Sequence, residues 1–249
     1  MVYNIQLLEY YELKWYNAES KKRITVFYTE RSAVMKTAKI SNNVIRRLPR
    51  YLRKLDDLAY HGINRISSSE LGRQMGLTPS QIRQDFSCFG EFGQQGYGYN
   101  VSTLREEIAT ILGTDRGYSV VIVGVGNLGH ALIENFGFSS KGYKVLGAFD
   151  VDPKIVGTDI ADVHVYHSDE LFDILEKTPA DIAVLSVPRR IADDMASRLC
   201  DAGIKAIWNF TNIELAVKDR DVLVENIHFS DSLLTLSYYL TDSLKNAEI

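Results

Sequence analysis

The sequence predicts a mixed α/β protein with two unlike parts, a small helical module followed by a doubly wound parallel sheet. Three observations predict it. Apolar residues follow helical spacing from residue 43, the pattern changes to alternating apolar strands and helices after residue 117, and a glycine motif separates the first of those strands from its helix. Alternating strands and helices are typical of a doubly wound sheet, and 249 residues suffice for two domains.

The first module follows the order of a winged helix-turn-helix domain. Apolar residues recur at steps of three and four from Val44 to Ala59, and Thr78-Pro79 is typical of a helix start. The predicted helices cover about residues 43–61, 67–76 and 78–89, with a short strand at 63–66 and a tight, Gly- and aromatic-rich hairpin at 91–99.

The third helix of such a module enters the major groove of DNA, and its N-terminal residues reach base edges. In this chain those residues are Ser80, Gln81, Arg83 and Gln84. Residues 36–100 contain ten Lys or Arg and five Asp or Glu, whereas residues 101–249 contain thirteen and twenty-three. The basic first part favours double-stranded DNA as its partner. A helical module that binds protein is the alternative.

In the second part of the chain, the pattern of apolar runs predicts a Rossmann-type doubly wound parallel sheet. Residues 118–123 form a nearly continuous apolar run, as expected of a strand covered on both faces. Later strands are predicted at 144–150, 182–187, 205–210 and 222–227, with helices at 130–136, 168–177 and 189–202. A connecting helix is predicted before this part, at 104–112.

Four segments follow from these patterns. We expect an extension at residues 1–34, a DNA-binding domain at 35–113, a nucleotide-binding domain at 114–228 and a C-terminal segment at 229–249. The extension is rich in Tyr and Glu and has one alternating run, at 23–28. It is either a poorly ordered extension, or the result of an upstream start codon, or a functional element.

The glycine motif predicts a dinucleotide site. Gly124 allows a tight turn, Gly126 lets the backbone approach a pyrophosphate, and Gly129 lets the helix pack close to the strand. Asp150 ends the second strand, where a carboxylate accepts hydrogen bonds from ribose and repels a 2′-phosphate. The motif therefore predicts NAD(H) as the cofactor. A turn that binds CoA, or nothing, is the alternative.

No catalytic residue is predicted. A dehydrogenase needs a proton-handling group near the nicotinamide. His130, His164, His167 and His228 are expected in a helix, in a loop and before a C-terminal helix, where solvated or packing roles are commoner. An NAD-dependent oxidoreductase with a basic helical appendage remains an alternative, as does a CoA- or nucleotide-binding protein that acts through protein partners.

Composition indicates a cytoplasmic protein. The chain has two cysteines, Cys88 and Cys200, without a paired motif, so neither a disulfide framework nor a metal site is expected. It lacks both a secretory signal pattern and an apolar run of the length that a membrane span needs.

Several longer stretches resemble one known family. They are residues 44–52, 80–86, 89–101, 123–129, 149–150, 186–188 and 202–210, and they include QIRQDF and FGEFG. In these stretches the chain resembles the Rex redox-sensing transcriptional repressors, over about residues 40–240. It departs from many members at Gln94-Gln95, Asn135 and Thr211-Asn212.

The resemblance implies a homodimer that binds an inverted-repeat operator and is released when NADH binds. It also implies contact through the Rossmann domains and a C-terminal domain-swapped helix at about residues 230–244. The residues that it places on the DNA side are Arg46, Arg47, Ser80, Gln81, Arg83, Gln95 and Tyr97. Those that it places around the dinucleotide are Gly124, Gly126, Asn127, Leu128, Gly129, Asp150, Val187 and Pro188. It brings Phe229 and Asp231 towards the nicotinamide pocket of the partner subunit.

Overall fold

The computed structural model describes residues 40–90, 92, 93, 97–218 and 220–247. The extension predicted at residues 1–34 lies outside the described residues. The chain divides into two compact units, with the division between Ile108 and Ala109.

The described part of the first unit contains three helices and a two-stranded sheet, and a further helix begins in it and crosses the division. In chain order the elements are α1 (Asn42–Tyr60), β1 (Arg65–Ile66), α2 (Ser68–Met75), α3 (Pro79–Ser87), β2 (Tyr99–Asn100) and α4 (Val101–Ile111). The helix start predicted at Thr78-Pro79 is confirmed, because the Thr78 side chain accepts a hydrogen bond from the Gln81 N–H.

The hairpin predicted at residues 91–99 lies partly outside the described residues, which omit 91 and 94–96. Tyr99 pairs antiparallel with Ile66, so β2 joins the strand that precedes α2. Gly98 permits this approach, since its φ is +69° and a Cβ there would lie 2.6 Å from the Ile66 carbonyl oxygen. Glycine content alone did not reveal this long-range pairing.

Aromatic side chains fill the core of the first unit. Phe86 of α3 makes edge contacts with Tyr51 of α1 and Tyr99 of β2, at ring-centroid distances of 4.9 and 5.1 Å. Leu55 of α1 and Ile82 of α3 are also fully buried. The core therefore ties α3 to both α1 and the small sheet.

The second unit alternates strands with helices, as predicted. Its elements are β3 (Ser119–Val123), α5 (Asn127–Asn135), β4 (Lys144–Asp150), β5 (Asp159–Ile160), β6 (Val163–His167), α6 (Leu171–Lys177), β7 (Ile182–Leu185), α7 (Arg189–Asp201), β8 (Ala206–Asn209), β9 (Leu223–Asn226) and α8 (Phe229–Ala247).

The seven strands lie in the order β5-β6-β4-β3-β7-β8-β9, and all neighbours are parallel except β5 and β6. Without β5 this is the 3-2-1-4-5-6 order of a Rossmann fold, with the switch point between β3 and β7. Val120 and Ile122 of β3 pack into one core cluster, and Val121 and Val123 into another. The central strand is thus buried on both faces.

Two local predictions were wrong. Helix α5 begins at Asn127 rather than at residue 130, directly after the glycine turn. His164 and His167 lie in strand β6, not in a loop, and β6 forms a hairpin with β5 at the sheet edge. The alternating Val163 and Val165 carried this signal. Among the described residues, no helix is long and apolar enough to cross a membrane.

Candidate functional site

The carboxyl ends of three neighbouring strands bring the predicted dinucleotide residues together. Val123 of β3 pairs with Phe149 of β4 on one side and with Leu185 of β7 on the other. The next residues therefore share one edge of the sheet: Gly124, Asp150 and the segment at 186–188. This edge is the switch point at which doubly wound sheets bind ligands.

The three motif glycines have different structural roles. Gly124 has φ +93°, and a Cβ there would lie 2.6 Å from the Ser186 carbonyl oxygen. A Cβ on Gly129 would lie 2.0 Å from the Gly124 carbonyl oxygen, whereas a Cβ on Gly126 would meet no atom within 4 Å. Gly124 and Gly129 thus close the turn, and Gly126 leaves an open approach for a ligand.

The open approach fits a phosphate group. Gly126 is the N-cap of α5 and has no side chain to cap the helix, and Gly126 and Asn127 are exposed. The first N–H groups of α5 are accordingly directed to this edge, where the helix dipole favours an anion. Leu128 and Gly129 continue the same first turn.

Asp150 is held by three backbone N–H groups. Its Oδ2 accepts from Val125 at 2.5 Å, and its Oδ1 accepts from Val151 at 2.7 Å and from Asp152 at 3.0 Å. A carboxylate offers about four acceptor positions, so room remains for about one further donor such as a ribose hydroxyl. The bond to Val125 also joins Asp150 directly to the glycine turn.

Ser186 is a site residue whose role the sequence did not reveal. Its Oγ donates to the Gly124 carbonyl oxygen at 2.7 Å, and its N–H donates to the Val123 carbonyl oxygen at 2.9 Å. Ser186 therefore fixes the turn from the β7 side. Val187 and Pro188 follow it, with Val187 half-buried and Pro188 exposed at the start of α7.

In the first unit, α3 presents most of the predicted DNA-contacting side chains to solvent. Ser80, Arg83 and Gln84 are exposed. The Arg83 guanidinium donates to the Ser68 Oγ at 3.0 Å and to the Ser80 Oγ at 3.2 Å. Two serine hydroxyls thus orient it at the N-terminal part of the helix.

The remaining predicted DNA-side residues differ in their surroundings. Arg46 is exposed on α1. Tyr97 is 70% exposed, and the Arg65 guanidinium lies 5.9 Å from its ring centroid. Gln95 lies outside the described residues.

Arg47 and Gln81 both bind the carboxylate of Asp85, a fully buried residue. Arg47 donates from Nε to Oδ2 at 2.6 Å and from Nη2 to Oδ1 at 2.7 Å. The Tyr51 hydroxyl donates to Oδ2 at 2.6 Å, and the Gln81 amide donates to Oδ1 at 3.1 Å.

Burial raises the pKa of the Asp85 carboxyl, but the hydrogen bonds from its three partners outweigh burial and hold that pKa below its ordinary value. For Tyr51, burial and then the bond to Asp85 raise the pKa of the phenol. Asp85 is therefore ionised and Tyr51 neutral at neutral pH.

Comparison with known proteins gives two family profiles. A profile described as a putative DNA-binding protein N-terminus matches residues 39–87, and one described as a CoA binding domain matches residues 115–213. Curated relatives include the redox-sensing transcriptional repressor Rex of Caldicellulosiruptor saccharolyticus, 52% identical over 85% of this chain and 96% of the relative. The chain belongs to the Rex family.

Another Rex, from Clostridium beijerinckii, is 49% identical over 82% of this chain and 96% of its own. Among solved structures, RSP in complex with β-NAD⁺ and operator DNA is 46% identical, with a TM-score of 0.76, over 85% of this chain and 97% of that one. RSP in complex with β-NADH is 43% identical, with a TM-score of 0.77, over 85% and 99%. The predicted family is confirmed. The predicted fold class is confirmed as well, apart from the exchange of the C-terminal helix, which stays a prediction.

Phe229 and Asp231, which the resemblance brings towards the nicotinamide pocket of the partner subunit, lie far from the glycine turn of their own chain. Phe229 and Asp231 begin α8 after the edge strand β9, which β7 and β8 separate from the glycine turn. Phe229 is 57% exposed and stacks on Phe210 at a centroid distance of 6.1 Å.

Three histidines of this chain have acidic neighbours, and two of them lie in or beside strand β6, away from the glycine turn. His164 contacts Asp159 at 2.6 Å within the β5–β6 hairpin, and His167 caps the short helix that follows. His130, on α5, lies 3.4 Å from Glu134. Each histidine thus has a structural partner. Among the described residues, no cluster of His, Cys, Asp and Glu could hold a metal ion.

Thr211, one of the positions at which this chain departs from many Rex members, hydrogen-bonds to a buried polar side chain at the end of β8. The Thr211 hydroxyl and N–H donate to the Asn209 Oδ1 at 2.7 and 3.0 Å, and the Asn209 amide donates to the Asn226 Oδ1 at 2.7 Å. These bonds tie the loop after β8 to β9, the strand that leads into α8.

Proposed function

We propose that this chain is a redox-sensing transcriptional repressor that binds an inverted-repeat operator in double-stranded DNA and leaves it when NADH binds. The observation that carries the proposal is the pairing of two sites in one Rex-family chain. One is the exposed N-terminal face of α3, and the other is the glycine turn with Asp150. NADH would release the protein by binding its DNA-incompetent arrangement more tightly.

On the DNA side, the proposed contact residues are Arg46, Ser80, Gln81, Arg83, Gln84, Gln95 and Tyr97. Arg83 and Gln84 are exposed where the helix after a turn meets base edges, and Arg46 lies on α1, which flanks it. Arg47 was predicted for the same set, but Asp85 occupies its guanidinium.

On the cofactor side, α5 would bind the pyrophosphate through its N-terminal N–H groups, and Asp150 would accept a hydrogen bond from the adenosine ribose. Val187 and Pro188 would lie beside the dinucleotide. The negative charge of Asp150 opposes a 2′-phosphate, which favours NAD(H) over NADP(H).

We further propose that α8 exchanges with a second copy of the chain to form a homodimer. One face of this helix carries five exposed apolar side chains at helical spacing: Phe229, Leu233, Leu236, Leu240 and Leu244. Such a face is typical of a partner interface. In a dimer, Phe229 and Asp231 would approach the nicotinamide pocket of the partner subunit.

The proposed role is regulatory, in the cytoplasm, and the proposed domains are residues 35–113, 114–228 and 229–249.

DNA binding by the purified protein tests the proposed repressor function directly. Its affinity for a palindromic, AT-rich operator should be measured with and without NADH and NAD⁺ at a stated salt concentration. We expect NADH to lower the affinity more than NAD⁺ does. Unchanged DNA affinity with NADH bound would contradict sensing, and nicotinamide turnover that requires one histidine would favour an enzyme.

Two glycine variants separate the fold of the cofactor site from its function. Gly129→Ala places a Cβ 2.0 Å from a backbone oxygen, so it should lower the free energy of unfolding by about 1–3 kcal/mol or more. Gly126→Ala meets no atom within 4 Å, so stability should change little while NADH affinity falls. Denaturant unfolding and NADH titration measure the two effects. Equal stability loss in both variants would contradict this division.

A further inference from the structure

The carboxylate of Asp85 connects the two helices on which operator recognition would depend. Its partners Arg47 and Tyr51 are one turn apart on α1, and Gln81 precedes Asp85 by one turn on α3. All four side chains therefore meet where α3 packs on α1.

The network leaves Asp85 little freedom. The Asp85 side chain is 0% exposed, and an ionised group at such a depth is strongly destabilising unless it is paired. Arg47 binds both carboxylate oxygens in a planar, bidentate geometry that lysine cannot reproduce. Tyr51 and Gln81 add one hydrogen bond each, so a shift of α3 on α1 would break several bonds at once.

Gln81 lies on the side of α3 that also carries its predicted base-contacting residues. One N–H of its amide donates to Asp85. The amide oxygen and the second N–H remain, and this donor and acceptor pair is complementary to adenine in the major groove. Asp85 thus fixes which way the Gln81 amide faces.

We propose that Asp85 is a positioning residue for operator recognition, which fixes α3 on α1 and orients the Gln81 amide, and that Arg47 is its counterion rather than a ligand of DNA phosphate. The inference rests on the proposed function. It changes the role of Arg47 from a direct contact to an internal support.

Salt dependence distinguishes these roles. Affinity for DNA falls as salt concentration rises, and each phosphate contact makes the slope of log affinity against log salt steeper by about 0.9. Such a contact supports binding to any DNA sequence. A phosphate ligand would therefore contribute to non-specific affinity and to the slope. A positioning residue would contribute to the preference for the operator and leave the slope unchanged.

The test compares full-length Arg47→Gln with Arg46→Gln, its neighbour on the exposed side of α1, against operator and scrambled DNA. Arg47→Gln should lower operator affinity about tenfold, with the salt slope and scrambled-DNA affinity as in the wild type. Arg46→Gln should lower affinity for both DNAs and reduce the slope by about 1. Arg47→Lys keeps the charge but should behave like Arg47→Gln, because it cannot bind both Asp85 oxygens.

Tyr51→Phe removes one hydrogen bond and keeps the ring, so it provides the same readouts if Arg47→Gln does not fold. It should lose operator preference with an unchanged slope. A reduced slope in Arg47→Gln, or full recovery in Arg47→Lys, would overturn the positioning role. A wild-type protein without operator preference would instead overturn the proposed function, and the positioning role with it.

Discussion

Asp150→Ala is expected to weaken NADH binding by about tenfold or more while apo operator affinity remains nearly unchanged. The substitution removes the acceptor for the ribose hydroxyl and also the bond to the Val125 N–H that holds the glycine turn. Hydrogen bonds to a charged group contribute about 1.5–3 kcal/mol each, which corresponds to this loss. Isothermal titration with NADH and an operator-binding assay measure the two quantities.

Asp152→Ala is the matched control, because Asp152 is an exposed carboxylate two residues away from Asp150. Among the hydrogen bonds described, its side chain accepts only from the Lys154 N–H. It should retain NADH affinity. Equal losses of NADH and operator affinity in Asp150→Ala would place Asp150 in the fold rather than in the cofactor site.

The double substitution Leu236→Asp with Leu240→Asp should convert the proposed dimer to a monomer and reduce operator affinity by at least about 100-fold. These side chains are 62% and 58% exposed on the same face of α8. Burying two unpaired carboxylates in a helical interface costs several kcal/mol, and one subunit cannot engage both halves of an inverted repeat. Analytical ultracentrifugation and operator titration measure the effects.

Thr235→Asp supplies the control for this face. Thr235 lies on the opposite side of the same helix, where its hydroxyl donates to the Asp231 carbonyl oxygen. This variant should stay dimeric. If the leucine variant also remained dimeric, α8 exchange would not be the basis of assembly.

Local signals accounted for much of the fold. The apolar run before Gly124 and the Thr78-Pro79 start are encoded by neighbouring residues, and both lie where the sequence predicts them. The position of Asp150 at the end of β4 follows from the same reasoning. The 3-2-1-4-5-6 strand order could be expected only as a class, because strand neighbours are set by packing between distant segments.

Contacts between distant residues account for what the sequence did not reveal. Arg47 and Asp85 are 38 residues apart, so the sequence did not reveal their pairing, and the family resemblance placed Arg47 on the DNA side. The hydroxyl of Ser186 is directed to the glycine turn by the pairing of β7 with β3, over a separation of 62 residues. Each of these side chains looks like an ordinary polar residue until the fold supplies its partner.

The three backbone bonds to Asp150 affect how the energy of cofactor binding would be used. A flexible carboxylate loses side-chain entropy when it captures a ligand, and that loss is subtracted from affinity. Asp150 is already immobilised before any ligand arrives. Preorganisation of this kind leaves a larger share of the interaction free energy as affinity, so NADH would bind at a lower concentration. The switch itself would depend on the difference in NADH affinity between the two protein conformations.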